Sequence, residues 1–208
     1  MHVLIIANGP GLGRRLVRKL ASSADVVVCA DGGANTARRF HIRPDVILGD
    51  FDSITFSTKN FFRAVPQLLM EDQDSTDMEK ALQYCVERAA TSADVVGALG
   101  DRIDHAMGNL GCFKKFGNRI CLRFVDSIAE LLHVRRSIQL SVSVGDELSL
   151  IPLDRCTGVT TTNLKYPLRN DLLETGVRAG ISNVATAHTV SVRVRRGTLL
   201  LYRMRKKT

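Results

Sequence analysis

The chain contains no tryptophan, and aromatic residues make up only 5% of its 208 residues. A nucleic-acid groove normally offers aromatic platforms on which bases stack, so the net charge of +8 does not by itself mark one. Much of that charge is terminal: Arg193, Arg195, Arg196, Arg203, Arg205, Lys206 and Lys207 surround a single aromatic, Tyr202. This reads as a solvated basic strand face and tail. Basic character suggests an anionic partner such as a nucleotide, a nucleic acid or a membrane surface, and no nucleic-acid partner is expected. The Cys-x-x-Cys spacing is also missing. Cys29, Cys85, Cys112, Cys121 and Cys156 are odd in number and widely spaced, which argues against a disulfide framework or a zinc site. Cys29 and Cys121 lie in apolar runs and are expected to be buried thiols, in a reducing, cytoplasmic compartment. No apolar run approaches the length of a membrane span, and no membrane partner is expected. The run Val3–Ala7 is too short for a signal peptide, and glycines and Arg14-Arg15 follow it.

With 45% hydrophobic and 24% charged residues, the composition is that of a globular protein with a sizeable core. The first part alternates Val- and Ile-rich runs (Val3–Ala7, Val26–Ala30, Val46–Leu48, Val95–Leu99, Ile120–Val125) with stretches of helical character (Arg14–Ala21, Ala34–Phe40, Thr76–Ala90, His105–Phe116). Such alternation predicts an α/β fold, a mostly parallel, Rossmann-like sheet with flanking helices. In the helix from Thr76, Met78, Ala81, Leu82, Cys85, Val86 and Ala89 share one face. Thr76 and Glu79 have the spacing of a capping box, which puts Asp77 in the first turn, where free amides and the helix dipole favour anions.

Beyond about residue 126 the period changes to two. Ile138, Leu140, Val142 and Val144 fall on one face, Gly145-Asp146 makes a turn, and Glu147–Leu153, Val190–Val194 and Thr198–Met204 follow. This predicts a C-terminal antiparallel β-sandwich. The expected domains are 1–126, α/β, and 127–208, all β.

Four Asp-bearing segments carry the chemistry: Ala30-Asp31-Gly32-Gly33-Ala34-Asn35, Gly49-Asp50-Phe51-Asp52-Ser53, Asp72-Gln73-Asp74-Ser75-Thr76-Asp77 and Gly100-Asp101-Arg102-Ile103-Asp104-His105. Ligands of open α/β sheets bind outside the carboxyl ends of the strands. Asn8-Gly9, Asp31-Gly32-Gly33, Gly49-Asp50 and Gly100-Asp101 each follow an expected strand, so their turns converge if the sheet is parallel. Magnesium is usually held by one or two carboxylates plus substrate phosphates. Asp50 and Asp52 share a side in an extended chain and could address one cation, although Asp is also favoured in turns on backbone grounds. Arg102 could clamp phosphate in a bidentate way, or pair internally with Asp104. Gly9-Pro10-Gly11-Leu12-Gly13 has neither the Walker A pattern nor G-x-G-x-x-G and is a weak signal, a loop near a nucleotide or a simple turn. His105 is read as a cap or packed residue.

Taken together these motifs resemble the thiamine pyrophosphokinases. The resemblance rests on the first three Asp segments, on Pro44-Asp45, on Glu79-Lys80-Ala81-Leu82 and on Leu99 through His105. It continues in Ser149-Leu150-Ile151-Pro152-Leu153, Leu164-Lys165-Tyr166-Pro167-Leu168 and Ile181-Ser182-Asn183. It implies transfer of the pyrophosphoryl group of ATP to the hydroxyl of thiamine, giving thiamine diphosphate and AMP. It also implies an α/β catalytic domain that binds ATP and Mg2+, a β-sandwich that binds thiamine, and a homodimer with thiamine at the subunit interface. Carried over by position, Asp50, Asp52 and Asp77 hold Mg2+, and with Arg102 they form the catalytic set. Asp31, Gln73, Arg102 and Asp104 shape the nucleotide and thiamine pocket, with Asn8, Gly32, Gly33, Asn35, Asp74 and Thr76 also on the substrate- and nucleotide-binding side. Ser182 and Asn183 hydrogen-bond the pyrimidine end of thiamine. The family usually has Gly-Gly-Arg where this chain has Gly100-Asp101-Arg102, and Val184-Ala185-Thr186-Ala187 carries no acidic group for a cationic ring. A pterin alcohol as acceptor on the same catalytic domain is the near alternative; a non-catalytic nucleotide- or RNA-binding module is the distant one.

Overall fold

Runs of β-branched residues such as Val26-Val27-Val28 are apolar at every position because both sheet faces are covered. In the computed structural model, which describes residues 1–10, 12–100 and 102–205, these runs build one of two compact units, Met1–Ser127 and Ile128–Thr208. In chain order the first unit runs β1 (His2–Ile6), α1 (Arg14–Ser23), β2 (Val26–Ala30), α2 (Gly33–Arg39), β3 (Val46–Gly49), α3 (Phe56–Phe61) and β4 (Gln67–Leu69). It continues with α4 (Asp77–Glu87), β5 (Ser92–Val96), α5 (Ile103–Phe116) and β6 (Cys121–Val125). Its strands lie in the order β6-β5-β1-β2-β3-β4, and each neighbouring pair is parallel. The order therefore reverses beside β1, and the strand-end turns after β1, β2, β3 and β5 open on one edge.

On one face, Leu4, Ile6, Val27, Cys29 and Ile47 pack with Val17 and Leu20 of α1 and Ala34, Ala37 and Phe40. On α4, which contacts β2 and β3, Met78, Ala81, Leu82 and Cys85 are buried. Thr76 and Glu79 form the expected capping box: the Thr76 hydroxyl accepts from the Glu79 amide at 3.2 Å, and the Glu79 carboxylate accepts from the Thr76 amide at 3.3 Å.

The second unit comprises β7 (Ala129–Val134), β8 (Ser137–Ser141), β9 (Glu147–Pro152), β10 (Cys156–Thr162), β11 (Asp171–Leu173), β12 (Gly180–Val184), β13 (Thr189–Arg193) and β14 (Leu199–Met204). Its strands pair antiparallel in the orders β12-β9-β14-β7 and β11-β10-β13-β8. Leu148, Leu150, Leu199 and Leu201 of the first set meet Cys156, Val159, Val190 and Val192 of the second in one core, the packing of a sandwich. Among the described residues no helix is long and apolar enough to cross a membrane.

Three local expectations are corrected. The fourth strand, expected at Val95–Leu99, runs from Ser92 to Val96. Its Asp94 is buried because Arg123 on β6 grips both carboxylate oxygens, at 2.7 and 2.5 Å, so a charge hid the start of a core strand. Cys121 is exposed, unlike Cys29, because it is the first residue of β6, ahead of that strand's buried part. Val144 leaves the alternating face and is exposed, since β8 ends at Ser141 and Gly145 takes a φ of +91° to turn the chain.

Candidate functional site

Asp31 follows the last residue of β2 in a left-handed conformation, φ +40°. Its amide donates to Leu48 O at 2.8 Å, and its carbonyl accepts from the Ala34 amide at 3.0 Å, joining the strand edge to the start of α2. The side chain is turned inward and the residue is 2% exposed. Asp31 Oδ2 accepts from the Ser53 amide at 2.9 Å, while Oδ1 is buried without a partner. Such an orphaned carboxylate oxygen is costly. Gly33 allows the tight seat of α2 on the sheet: a Cβ there would lie 1.9 Å from Ile6 O.

Asp50 follows β3, and Asp77 is the first residue of α4. One carboxylate oxygen from each of Asp31, Asp50 and Asp77 lies within 4.8 Å of the others. Three segments distant in sequence thus place hard oxygen donors around one point, the donor set a divalent cation such as magnesium takes. The unpartnered Asp31 Oδ1 fits the same purpose.

The three oxygens that meet include one from Asp31, whereas the sequence named Asp52 beside Asp50 and Asp77; Asp52 lies near enough for its charge to act on Asp77. The extended geometry assumed for Asp50-Phe51-Asp52 does not form, because Phe51 has φ +66°. Its ring packs against the core with Lys59 Nζ 4.6 Å from the ring centroid. Asp52 Oδ1 instead accepts from the Ser53 hydroxyl at 2.8 Å on the exposed side.

The other candidates fall into separate environments. The Asn35 side chain donates to Ser53 O at 3.0 Å and accepts from the amide and hydroxyl of Thr55, each at 3.1 Å, so it pins the loop that carries Asp52. Asn8 lies against Gly32, where a Cβ would be 2.5 Å from Asn8 Cγ. Gln73 and Asp74 are exposed in a turn closed by Asp72, whose Oδ1 accepts from the Asp74 amide at 2.9 Å. Arg102 and Asp104 form an exposed bidentate pair at 2.9 and 2.5 Å. Gly11 and Asp101 lie outside the described residues. In the second unit Ser182 is exposed with φ +58° where β12 breaks register with β9. Asn183 is buried: Oδ1 accepts from the amides of Tyr166 and Val184, each at 3.0 Å, and Nδ2 donates to Tyr166 O at 2.7 Å.

One residue of the centre stands in the sequence only as part of the motif Glu79-Lys80-Ala81-Leu82, with no role of its own. Lys80 is buried on α4, and its ammonium lies 3.4 Å from Asp77 Oδ1. The available signal was a lone charge among the buried positions Met78, Ala81, Leu82 and Cys85.

Burial raises the pKa of Asp31 above its ordinary value of 3.8, and the nearby Asp77 charge adds to the rise against opposing hydrogen bonds from Ser53 and Gly32. Burial likewise raises Asp77, with Lys80 opposing and Asp50 and Asp52 adding to it. A carboxyl raised in the folded state contributes stability that is fully present below its unfolded pKa and lost as pH rises through the folded one. In the cation-free protein, the Tm of Asp31→Asn minus that of wild type should therefore increase from about pH 4 toward neutrality and then level off. Thermal melts across that range check this, and a pH-independent difference would count against an electrostatically loaded Asp31.

Comparison with known proteins bears on the whole chain. The family model of the thiamin pyrophosphokinase catalytic domain matches residues 17–124, and that of the thiamin pyrophosphokinase vitamin B1 binding domain matches residues 132–199. Thiamine pyrophosphokinase 1 of Oryza sativa subsp. japonica is 32% identical over 218 residues, covering 87% of this chain and 81% of the relative. Thiamine pyrophosphokinase 3 of the same organism is 32% identical over 222 residues, covering 88% and 80%. The crystal structure of thiamin pyrophosphokinase from Geobacillus thermodenitrificans superposes with a TM-score of 0.86 at 27% identity, covering 100% of this chain and 99% of that one. On both family models and on relatives aligned along most of its length, the chain belongs to the thiamin pyrophosphokinase family.

Proposed function

We propose that the protein transfers the pyrophosphoryl group of ATP to the hydroxyl of thiamine, giving thiamine diphosphate and AMP. The observation that carries this reading is the meeting of Asp31, Asp50 and Asp77 at the strand-end edge in a chain of this family. The thiamine oxygen forms a bond to the β-phosphorus and gives up its proton to solvent, while the bond from that phosphorus to the α-phosphate oxygen breaks and AMP leaves with that oxygen. Such transfers depend on positioning and charge neutralisation more than on covalent participation. Asp31, Asp50 and Asp77 hold Mg2+, and Asp52 adds negative charge from the exposed side. A magnesium ion held there supplies charge neutralisation along the polyphosphate.

The chain's own groups do the rest. The capping box fixes the start of α4, where a helix N-terminus favours anionic oxygens. Arg102 is exposed and can exchange Asp104 for a phosphate, matching its oxygens in the same bidentate manner. In the second unit, Asn183 is committed to the backbone at Tyr166, so it shapes the wall beside the exposed Ser182 hydroxyl, which is left to meet the pyrimidine end of thiamine. A homodimer belongs to this reading: exposed Ile103 and Met107 on α5, and Tyr166 and Ile181 in the second unit, offer apolar surface for a second copy to cover. A reducing, cytoplasmic setting belongs to it too, supported by the free thiols.

Incubation with ATP, Mg2+ and thiamine should yield thiamine diphosphate and AMP in equal amounts, read by chromatography. Release of AMP with a pterin alcohol but not with thiamine would move the acceptor, and no transfer to either would end the reading.

A further inference from the structure

Lys80 occupies a position that packing alone would fill with an apolar residue. It stands on α4 among Met78, Ala81, Leu82 and Cys85, and its side chain is 6% exposed. Burying an ammonium is costly unless a partner offsets the loss of water. The partner is Asp77, one turn earlier on the same side of the helix, and the 3.4 Å separation is long for a charge-assisted bond, which typically spans about 2.7–2.9 Å. The ammonium thus neutralises Asp77 without fully engaging its oxygen. Three ionised carboxylates and one ammonium leave two negative charges, which a single divalent cation balances; Asp52, being exposed, is screened by solvent.

Provided that Asp31, Asp50 and Asp77 hold a divalent cation, as proposed above, we propose that Lys80 is the resident counter-ion of this centre. It steadies the carboxylates before the cation arrives, and it weakens intrinsic cation affinity so that the site takes one divalent ion and releases it. Lys80 is thus a positioning residue, acting through Asp77.

The test is titration of Mn2+ into the nucleotide-free protein by calorimetry, with thermal melts in the absence and presence of Mn2+. Repulsion between a unit charge and a divalent ion a few ångströms away amounts to about a factor of ten even with water-like screening. Lys80→Met should therefore bind Mn2+ at least about tenfold more tightly than wild type. Its metal-free Tm should be lower, and its rise on adding Mn2+ larger. Lys80→Arg, which keeps the charge, should bind close to wild type. A Lys80→Met chain that folds only with Mn2+ present would also support the proposal, because the cation then replaces the missing charge. Unchanged or weaker Mn2+ binding by folded Lys80→Met would overturn it, as would a variant unfolded both with and without Mn2+. If wild type binds no Mn2+, or Asp77→Asn binds it equally well, the cation site itself has failed and the role of Lys80 falls with it.

Discussion

Replacing Asp77 by asparagine is expected to lower turnover by about 10²–10³-fold, the usual consequence of losing one preorganised electrostatic contact, ~2.7–4 kcal/mol. The substitution keeps shape and removes one charge from a cluster whose three carboxylate oxygens lie within 4.8 Å of each other. The fold does not depend on that charge. The capping box that starts α4 uses Thr76 and Glu79, and the apolar face of the helix is untouched. Asp77 carries a pKa raised chiefly by burial, so its ionised form is a strained component of the cation-free protein. Removing it relieves that strain but leaves the buried Lys80 ammonium without its partner, so the Tm without cation should fall modestly while the chain stays folded, and Mn2+ affinity falls. Steady-state kinetics at saturating Mg2+, calorimetry and thermal melts read the three quantities. Near-normal turnover with saturating Mg2+ would remove Asp77 from the centre, and a collapsed fold would make its role structural.

The architecture was legible where one physical signal dominated. Runs such as Val26–Ala30 could only be strands buried on both faces, and the Thr76–Glu79 spacing fixed the start of α4 because the cap is a local interaction. Signals failed where tertiary partners overrule local pattern. Asp94 made the opening of β5 look polar, and tertiary partners, above all Arg123, 29 positions away, explain how it is buried. The Thr-rich β10 shows no apolar alternation to read, and the six-residue α3 is too short for its period to register. The site divides in the same way. Its location at the strand ends followed from topology. Its membership did not, because the side on which Asp52 falls depends on the left-handed backbone of Phe51, and no sequence rule places a bulky aromatic there. The role of Lys80 was invisible for a related reason: a lysine at a buried helical position makes sense only once the carboxylates beside it are known.

Gly49→Ala should damage the same centre without touching a single charge, and by more than any one carboxylate substitution. Gly49 closes β3 with φ +145°, a conformation that costs a residue with a Cβ on the order of 1–3 kcal/mol. The added methyl group would also lie 2.8 Å from Asp31 Cβ and 3.2 Å from Asp77 Oδ1. Neither neighbour can easily yield, since Asp31 is fixed by backbone bonds to Leu48 and Ala34 and Asp77 by the first turn of α4. The methyl group therefore wedges apart two of the three carboxylates. Turnover should fall by more than about 10³-fold, beyond the loss of one electrostatic contact, Mn2+ binding should be lost, and stability should drop by the strain. Gly145→Ala separates strain from intrusion. Its φ is +91° with nothing within 4 Å of the added Cβ, so it should lose comparable stability while binding Mn2+ as wild type does. If the two variants bind Mn2+ equally well, the bare Cα of Gly49 is not what holds the carboxylates together. Loss of binding in Gly49→Ala alone, at matched stability, would locate the cation in the gap that this glycine keeps open.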